Sequence, residues 1–245
     1  MRSVSRMTAS IALLVPCWFA SGCGVTTTQE KDARLEVKAE RTVFDPKKIE
    51  LGEPPAGVEL GATTVLRTKD GSAVAVEVSN ETDAPVNDVP LAVGVRTDEG
   101  KQYLNLEKGS SYFETHVPSL APGEKTTWVY ASRDEIPDGQ VFAQLGTPAD
   151  PPLTVADELP DVEVSQPGKG DDQGRIEVEV SNDSDVPQYE MQLYAWAVDG
   201  GELRAAGTAK VAKLEGGQTT TVRLKLTGDP GGAPIEVSAP PTIFQ

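Results

Sequence analysis

Side-chain oxygens at alternate positions are the nearest this chain comes to site chemistry. Asn80-Glu-Thr-Asp-Ala-Pro85 and Asn182-Asp-Ser-Asp-Val-Pro187 repeat that arrangement. Hard cations such as calcium take oxygen ligands of this kind. Asn80, Glu81 and Asp83 would serve one loop, and Asn182, Asp183 and Asp185 the other. The same residues are also turn chemistry, because Asn and Asp cap local backbone groups and proline ends a strand's pairing. The turn reading is preferred, since neither loop has the glycine and distal glutamate of a helix-loop-helix calcium site. His116 is the single histidine, so a histidine-based metal site cannot form. A proton shuttle with Glu114 is the weaker alternative for it. Nucleophile elbows, glycine-rich dinucleotide fingerprints and phosphate-binding loops are all missing from the sequence. The expectation is a non-enzyme with no cofactor and no resident metal.

Aromatics point more clearly to binding. Tyr103, Tyr112 and Phe113 cluster in or near the stretch 100–117, and aromatics on a loop carried by a rigid scaffold make a contact site for a partner. The competing reading has them capping the end of a β-sandwich. Trp128, Tyr194 and Trp196 fall in strands, and Trp128 is expected in or over the core.

Charge narrows the partners. The chain of 245 residues has 22 basic and 38 acidic residues and a formal charge of −16. Residues 1–22 hold only Arg2 and Arg6, so without them the balance is 20 against 38, or −18. Such a surface repels phosphate backbones, and no nucleic-acid partner is expected. The two cysteines are Cys17 and Cys23, so nothing beyond residue 23 can form an internal disulfide.

The first residues read as an export signal. MRSVSR carries two arginines, MTASIALLVPCWFA is apolar, and SGC closes with small residues. The apolar stretch is too short for a comfortable membrane span of about 20 residues. Ala20-Ser21-Gly22-Cys23 resembles the lipobox of bacterial lipoproteins. That resemblance implies cleavage before Cys23 and diacylglyceryl transfer to its thiol. More than one acyl chain anchors stably where a single chain is marginal. Ala20 stands where leucine is usual. Residues 24–34, GVTTTQEKDAR, are polar and read as a tether.

Beyond the leader the chain repeats itself. VAVEVSNETDAPVNDVPLAVGV (74–95) realigns with IEVEVSNDSDVPQYEMQLYAWAV (176–198) at an offset of 102. LAPGEKTTWVY (120–130) realigns with LEGGQTTTVRL (214–224) at an offset of 94, so the first copy carries about eight extra residues within 100–117. The shorter offset pairs Val141 and Ala143 with Ile235 and Val237. Alternation marks strands: Val74, Val76 and Val78 point one way and Ala75, Glu77 and Ser79 the other. Ile176, Val178 and Val180 likewise oppose Glu177, Glu179 and Ser181. LEVKAERTV is read as an opening strand on the alternation of Leu35, Val37 and Ala39, although its Lys, Glu and Arg also tolerate a short helix.

The second copy, VEVSNDSDVP followed by MQLYAWAVDGGELRAAGTAKVAKLEGGQTTTVRLKL, resembles the FxLYD-type and CARDB-like immunoglobulin-like modules of envelope proteins. The first keeps VEVSNETDAP and LAPGEKTTWVY. The resemblance implies seven-stranded Greek-key sandwiches and imports no catalytic residue. The expected organisation is all-β. It comprises a signal peptide (1–22), a lipidated Cys23 with its tether (23–34), a first sandwich (35–150), a linker (151–160) and a second sandwich (161–245). The expected function is a lipid-anchored, extracytoplasmic binding, scaffolding or spacer protein. A protein or glycan of the envelope is the expected partner. The alternatives are a calcium-dependent adhesion or assembly module and an accessory subunit of an envelope enzyme or transporter.

Overall fold

A computed structural model describes residues 28–46, 49–147, 159–168, 170–171 and 174–242. The leader, Cys23 and most of the 147–160 junction lie outside the described residues.

The first element is a helix, α1 (Thr28–Phe44). This corrects the expectation of a tether followed by an opening strand at Leu35–Ala39. The apolar positions that matter are Leu35, Ala39 and Val43, four residues apart, so one helical stripe gathers them. Ala39 and Val43 are buried while Val37, which a strand would have turned inward with Leu35 and Ala39, is 47% exposed. Glu, Lys, Arg and Ala fill the remaining positions and are good helix formers.

Apart from one 3-10 turn, the remaining regular elements described are β-strands. The first half comprises β1 (Val58–Thr68), β2 (Gly71–Asn80), β3 (Val86–Thr97), β4 (Gly100–Tyr103), β5 (His116–Leu120), β6 (Lys125–Ser132) and β7 (Gln140–Leu145). The second comprises β8 (Val162–Val164), β9 (Arg175–Asn182), β10 (Gln188–Asp199), β11 (Glu202–Leu214), β12 (Thr219–Lys225), the two-residue β13 (Thr227–Gly228) and β14 (Ile235–Ser238). In the first half β1, β2 and β6 form one antiparallel sheet, and β3 pairs with β4, β5 and β7 in a second. In the second half β8, β9 and β12 form one sheet, and β14, β10, β11 and β13 the other.

Pairing registers carry the sequence repeat into three dimensions. Val76 opposes Trp128 as Val178 opposes Val222. Val141 and Ala143 sit beside Val95 and Val93, just as Ile235 and Val237 sit beside Ala197 and Ala195. Val86 pairs with Leu120, 34 positions on, and its counterpart Gln188 pairs with Leu214, 26 positions on. The difference of eight is the insertion. Where β10 has one long partner in β11, β3 has two short ones, β4 and β5. Between them residues 104–115 leave the sheet and form the 3-10 turn Tyr112–Glu114.

The halves are not beads on a string. β11 packs against β1, β2 and β6, and Tyr194, Leu203 and Ala206 belong to the same core cluster as Val74, Val76 and Trp128. Both alternating sets of β2 are therefore covered: Val74, Val76 and Val78 on one face, Ala73 and Ala75 on the other. β10 is the same, with Met191, Leu193 and Ala195 in the core of its own half and Tyr194 in the shared one. Small alanines on β2 let the two sheets approach.

Candidate functional site

The repeated turns come first. Asn80 is fully buried at the end of β2. Its Nδ2 donates to the carbonyls of Ala84 (2.8 Å), Leu120 (3.2 Å) and Ala121 (3.1 Å). Its Oδ1 accepts from the Thr82 amide (3.0 Å) and hydroxyl (2.7 Å). Asn182 repeats this, donating to Val186 (2.9 Å) and Leu214 (3.3 Å) and accepting from the Ser184 amide and hydroxyl. These amides clamp one strand end to a turn and to the neighbouring sheet. Asp83 and Asp185 are exposed. Among the described residues no cluster of three or more His, Cys, Asp or Glu could hold a metal ion. The four calcium candidates are not brought together as a donor set.

The three aromatic candidates part company. Tyr112 and Phe113 are each 4% exposed, which corrects their reading as partner contacts. They meet edge to face at 5.3 Å and pack with Ala39 and Val43 of α1 and with Tyr189 of β10. The helix that the sequence pattern concealed is what covers them. Tyr103 stays near the surface, on the opposite side of the split strand.

Beneath Tyr112 lies a buried polar cluster. The Tyr112 ring stacks on His116 at 4.6 Å, and its hydroxyl hydrogen-bonds Asp88. Burial, reinforced by the Asp88 carboxylate, raises the Tyr112 pKa well above the usual phenol value. His116 Nδ1 is 2.8 Å from the Thr115 hydroxyl and 3.2 Å from the Tyr112 carbonyl. A carbonyl only accepts, so with its proton on Nδ1 the ring donates to Tyr112, and with its proton on Nε2 it accepts from the Thr115 hydroxyl and turns its N–H to Asp88 at 3.8 Å. Burial lowers the His116 pKa to about 4, against the opposing pull of the Tyr112 carbonyl. At neutral pH the imidazole is uncharged. Glu114 is no partner to it: its carboxylate accepts from the Ser111 amide at 2.6 Å. Asp88 holds a left-handed φ of 56°, and Glu190, at the same point of the repeat, one of 52°. That conformation is rare outside glycine, and its recurrence makes it a feature of the repeat. With His116 and Asp88 6% and 4% exposed, the cluster fixes the insertion against the sheet and offers no open access to a substrate.

The outer face of β3, β4 and β7 gathers Tyr103, singled out from the sequence, with Gly94, Arg96, Lys101 and Phe142, which were not. Gly94 faces Tyr103 on one side and Phe142 on the other. The Phe142 ring covers it so closely that a Cβ at Gly94 would come within 2.6 Å of Cζ. Tyr103 meets Phe142 edge-on at 5.6 Å. Arg96 and Lys101, both exposed, lie 5.9 and 5.1 Å from its centroid. Such contacts contribute about 0.5–1 kcal/mol each at exposed sites. The available signal was a glycine in the middle of an apolar strand, followed by two cations flanking a tight turn.

No protein-family model matches the chain, and no curated protein matches it.

Proposed function

We propose that this is a lipid-anchored envelope protein whose two halves are immunoglobulin-like sandwiches acting as a binding or scaffolding body outside the cytoplasmic membrane. The observation that carries the reading is Ala20-Ser21-Gly22-Cys23, closing a short basic-then-apolar leader. Only residues 24–27 separate that cysteine from α1. An acylated Cys23 would thus hold the body close to the bilayer through a helix packed on it. The repeated registers and paired sheets of each half support the sandwich assignment. Asn80 and Asn182 are taken up in holding the repeated turns, which supports binding through a surface in place of chemistry in a cleft.

The test compares full-length protein and Cys23→Ser in a bacterial host by intact mass and membrane fractionation. The expected result is a membrane-bound chain beginning at Cys23 with a lipid-sized mass increment, and a released mutant. Release of both forms without a mass increment would end the anchored reading.

A further inference from the structure

α1 carries two apolar stripes. Leu35, Ala39 and Val43 pack inward with Tyr112, Phe113 and Tyr189. The second stripe faces out: Val37 and Phe44, two turns apart, are exposed, Phe44 by 65%. Only Val186 and Val198 are large apolar side chains of similar exposure among the described residues, and each stands alone at a turn or a strand end. Cations share the outer face of the helix. Arg34, Val37, Arg41 and Phe44 follow one another at steps of three and four, so they form one ridge. Lys31 and Lys38 precede the two arginines by three residues each. Lys31, Arg34 and Arg41 are exposed and Lys38 is partly so. At the C-terminal end Lys210, paired with Glu190, stands 5.3 Å from the Phe44 ring centroid.

The carboxylates of α1 are placed elsewhere. Asp32 turns inward to Lys213. Glu36 and Glu40 fall on the far side of the Val37–Phe44 line from the four cations. Glu30 alone is on the cationic side, one turn before Arg34. The whole chain is polarised in the same sense. Residues 24–48 hold six basic and five acidic side chains, a charge of +1, whereas residues 49–245 hold 14 and 33, a charge of −19. An anionic surface repels the second part and not the first. Position selects which surface that is. Five residue steps join Cys23 to Thr28, and even fully extended they reach no more than about 18 Å. A bilayer that holds the acyl chains of Cys23 is therefore beside the first turn of α1.

We propose that the outer face of α1 lies on the anionic phospholipid surface of the membrane that holds Cys23, with Val37 and Phe44 at the acyl boundary and Lys31, Arg34, Lys38 and Arg41 among the phosphates. This rests on the anchored reading above and adds the orientation of the anchored body. Two exposed apolar side chains give the helix little hold of its own, since interfacial binding scales with buried apolar area and electrostatic attraction. The acyl chains keep the molecule at the bilayer; the helix face turns its acidic sandwiches away from it.

The test uses the acylated chain purified from host membranes and placed in phosphatidylcholine vesicles with or without phosphatidylglycerol. Phe44→Trp reports on α1. Val198→Trp, nine positions beyond Tyr189 and so about 30 Å further along β10, is the control. The unsubstituted chain supplies the background of Trp128 and Trp196. With phosphatidylglycerol present, nitroxide-labelled lipid should quench Phe44→Trp and spare Val198→Trp. Arg34→Glu/Arg41→Glu should abolish that quenching while the chain still floats with the vesicles, and Arg34→Lys/Arg41→Lys should retain it. All these positions are exposed, and matching thermal melts verify folding. Equal quenching of the two reporters, or quenching indifferent to the charge reversal, overturns the proposal while leaving the anchor in place. A Phe44→Trp reporter shielded in native membranes but not in lipid vesicles also overturns it, and assigns the face to a protein. Absence of acylation in the fractionation test removes both readings together.

Discussion

The Trp128 indole N–H donates to the carbonyl of Phe113 at 2.9 Å, tying the middle of β6 to the 3-10 turn that only the first half possesses. Trp128 is wholly buried, and so is Tyr194 from the second half, whose hydroxyl lies beside the same indole N–H, already committed to Phe113, and forms no well-aligned hydrogen bond of its own. The insertion, the first core and the second half therefore meet at one point. Tyr194→Phe removes that poorly aligned buried hydroxyl and should leave stability unchanged or raise it by up to about 1 kcal/mol. Trp128→Ala should cost about 3–5 kcal/mol. Urea unfolding monitored by far-UV dichroism gives both values, and a Tyr194→Phe variant weakened by more than the Trp128 truncation would contradict this account.

Asn80 and Asn182 should behave as structural twins. Asn80→Ala leaves the carbonyls of Leu120 and Ala121 without its amide, at about 1–3 kcal/mol for the orphaned groups. Asn182→Ala should fall in the same range. Millimolar calcium should not move the melting temperature of the wild-type chain. A calcium-dependent rise that either Asn variant abolished would reinstate a metal role for these turns.

The helix should be separable from the sheets by substitution. Ala39 is fully buried against Tyr112, Phe113 and Tyr189, whereas Val37 is 47% exposed. Ala39→Glu forces a carboxylate into that contact and should release α1. Its amides should then exchange far faster, while β2 and β9 keep their protection. Val37→Glu should change nothing measurable. Equal exchange in both variants would mean the helix is not held by this stripe.

Acid should weaken the fold through His116. Its folded pKa of about 4 lies below the ordinary value of 6.5, so the unfolded chain takes up a proton more readily than the folded one. The contribution is complete above about pH 6.5, falls as pH drops toward 4, and is lost below that; its full size is about 3 kcal/mol. His116→Asn should flatten that part of the stability profile. An imidazole titrating near 6.5 in the folded protein by NMR would contradict the burial that underlies it.

Strand alternation, the two turns and the position of the eight-residue insertion were legible because each is local or repeated. The period of two in Ile176, Val178 and Val180 admits one reading, and the 94-residue offset already aligned the pairs now seen at Val141 and Ile235. Leu35–Val43 admitted two readings, since Leu35, Val37 and Ala39 satisfy a strand while Leu35, Ala39 and Val43 satisfy a helix. Tyr112 and Phe113 looked like surface groups because what covers them arrives from a distant segment. The packing of the halves had a trace in Ala73 and Ala75, small apolar residues where the other copy has Arg175 and Glu177. That contrast separates a covered sheet face from an open one.

Tyr189 is where both ends of the described chain converge. Its hydroxyl donates to the Asp32 carbonyl in α1 at 3.3 Å, and its own carbonyl accepts from the Thr242 hydroxyl at 2.9 Å. The amide of Thr242 is held too, by the Gln188 side chain at 2.8 Å. Thr242 and the Asp32 turn of α1 thus meet on one residue, so a bulky probe attached at Thr242 would crowd α1. A reporter placed in the Asp199–Gly201 hairpin would stand clear of that junction, and insertion there is the sounder design for imaging the protein in cells.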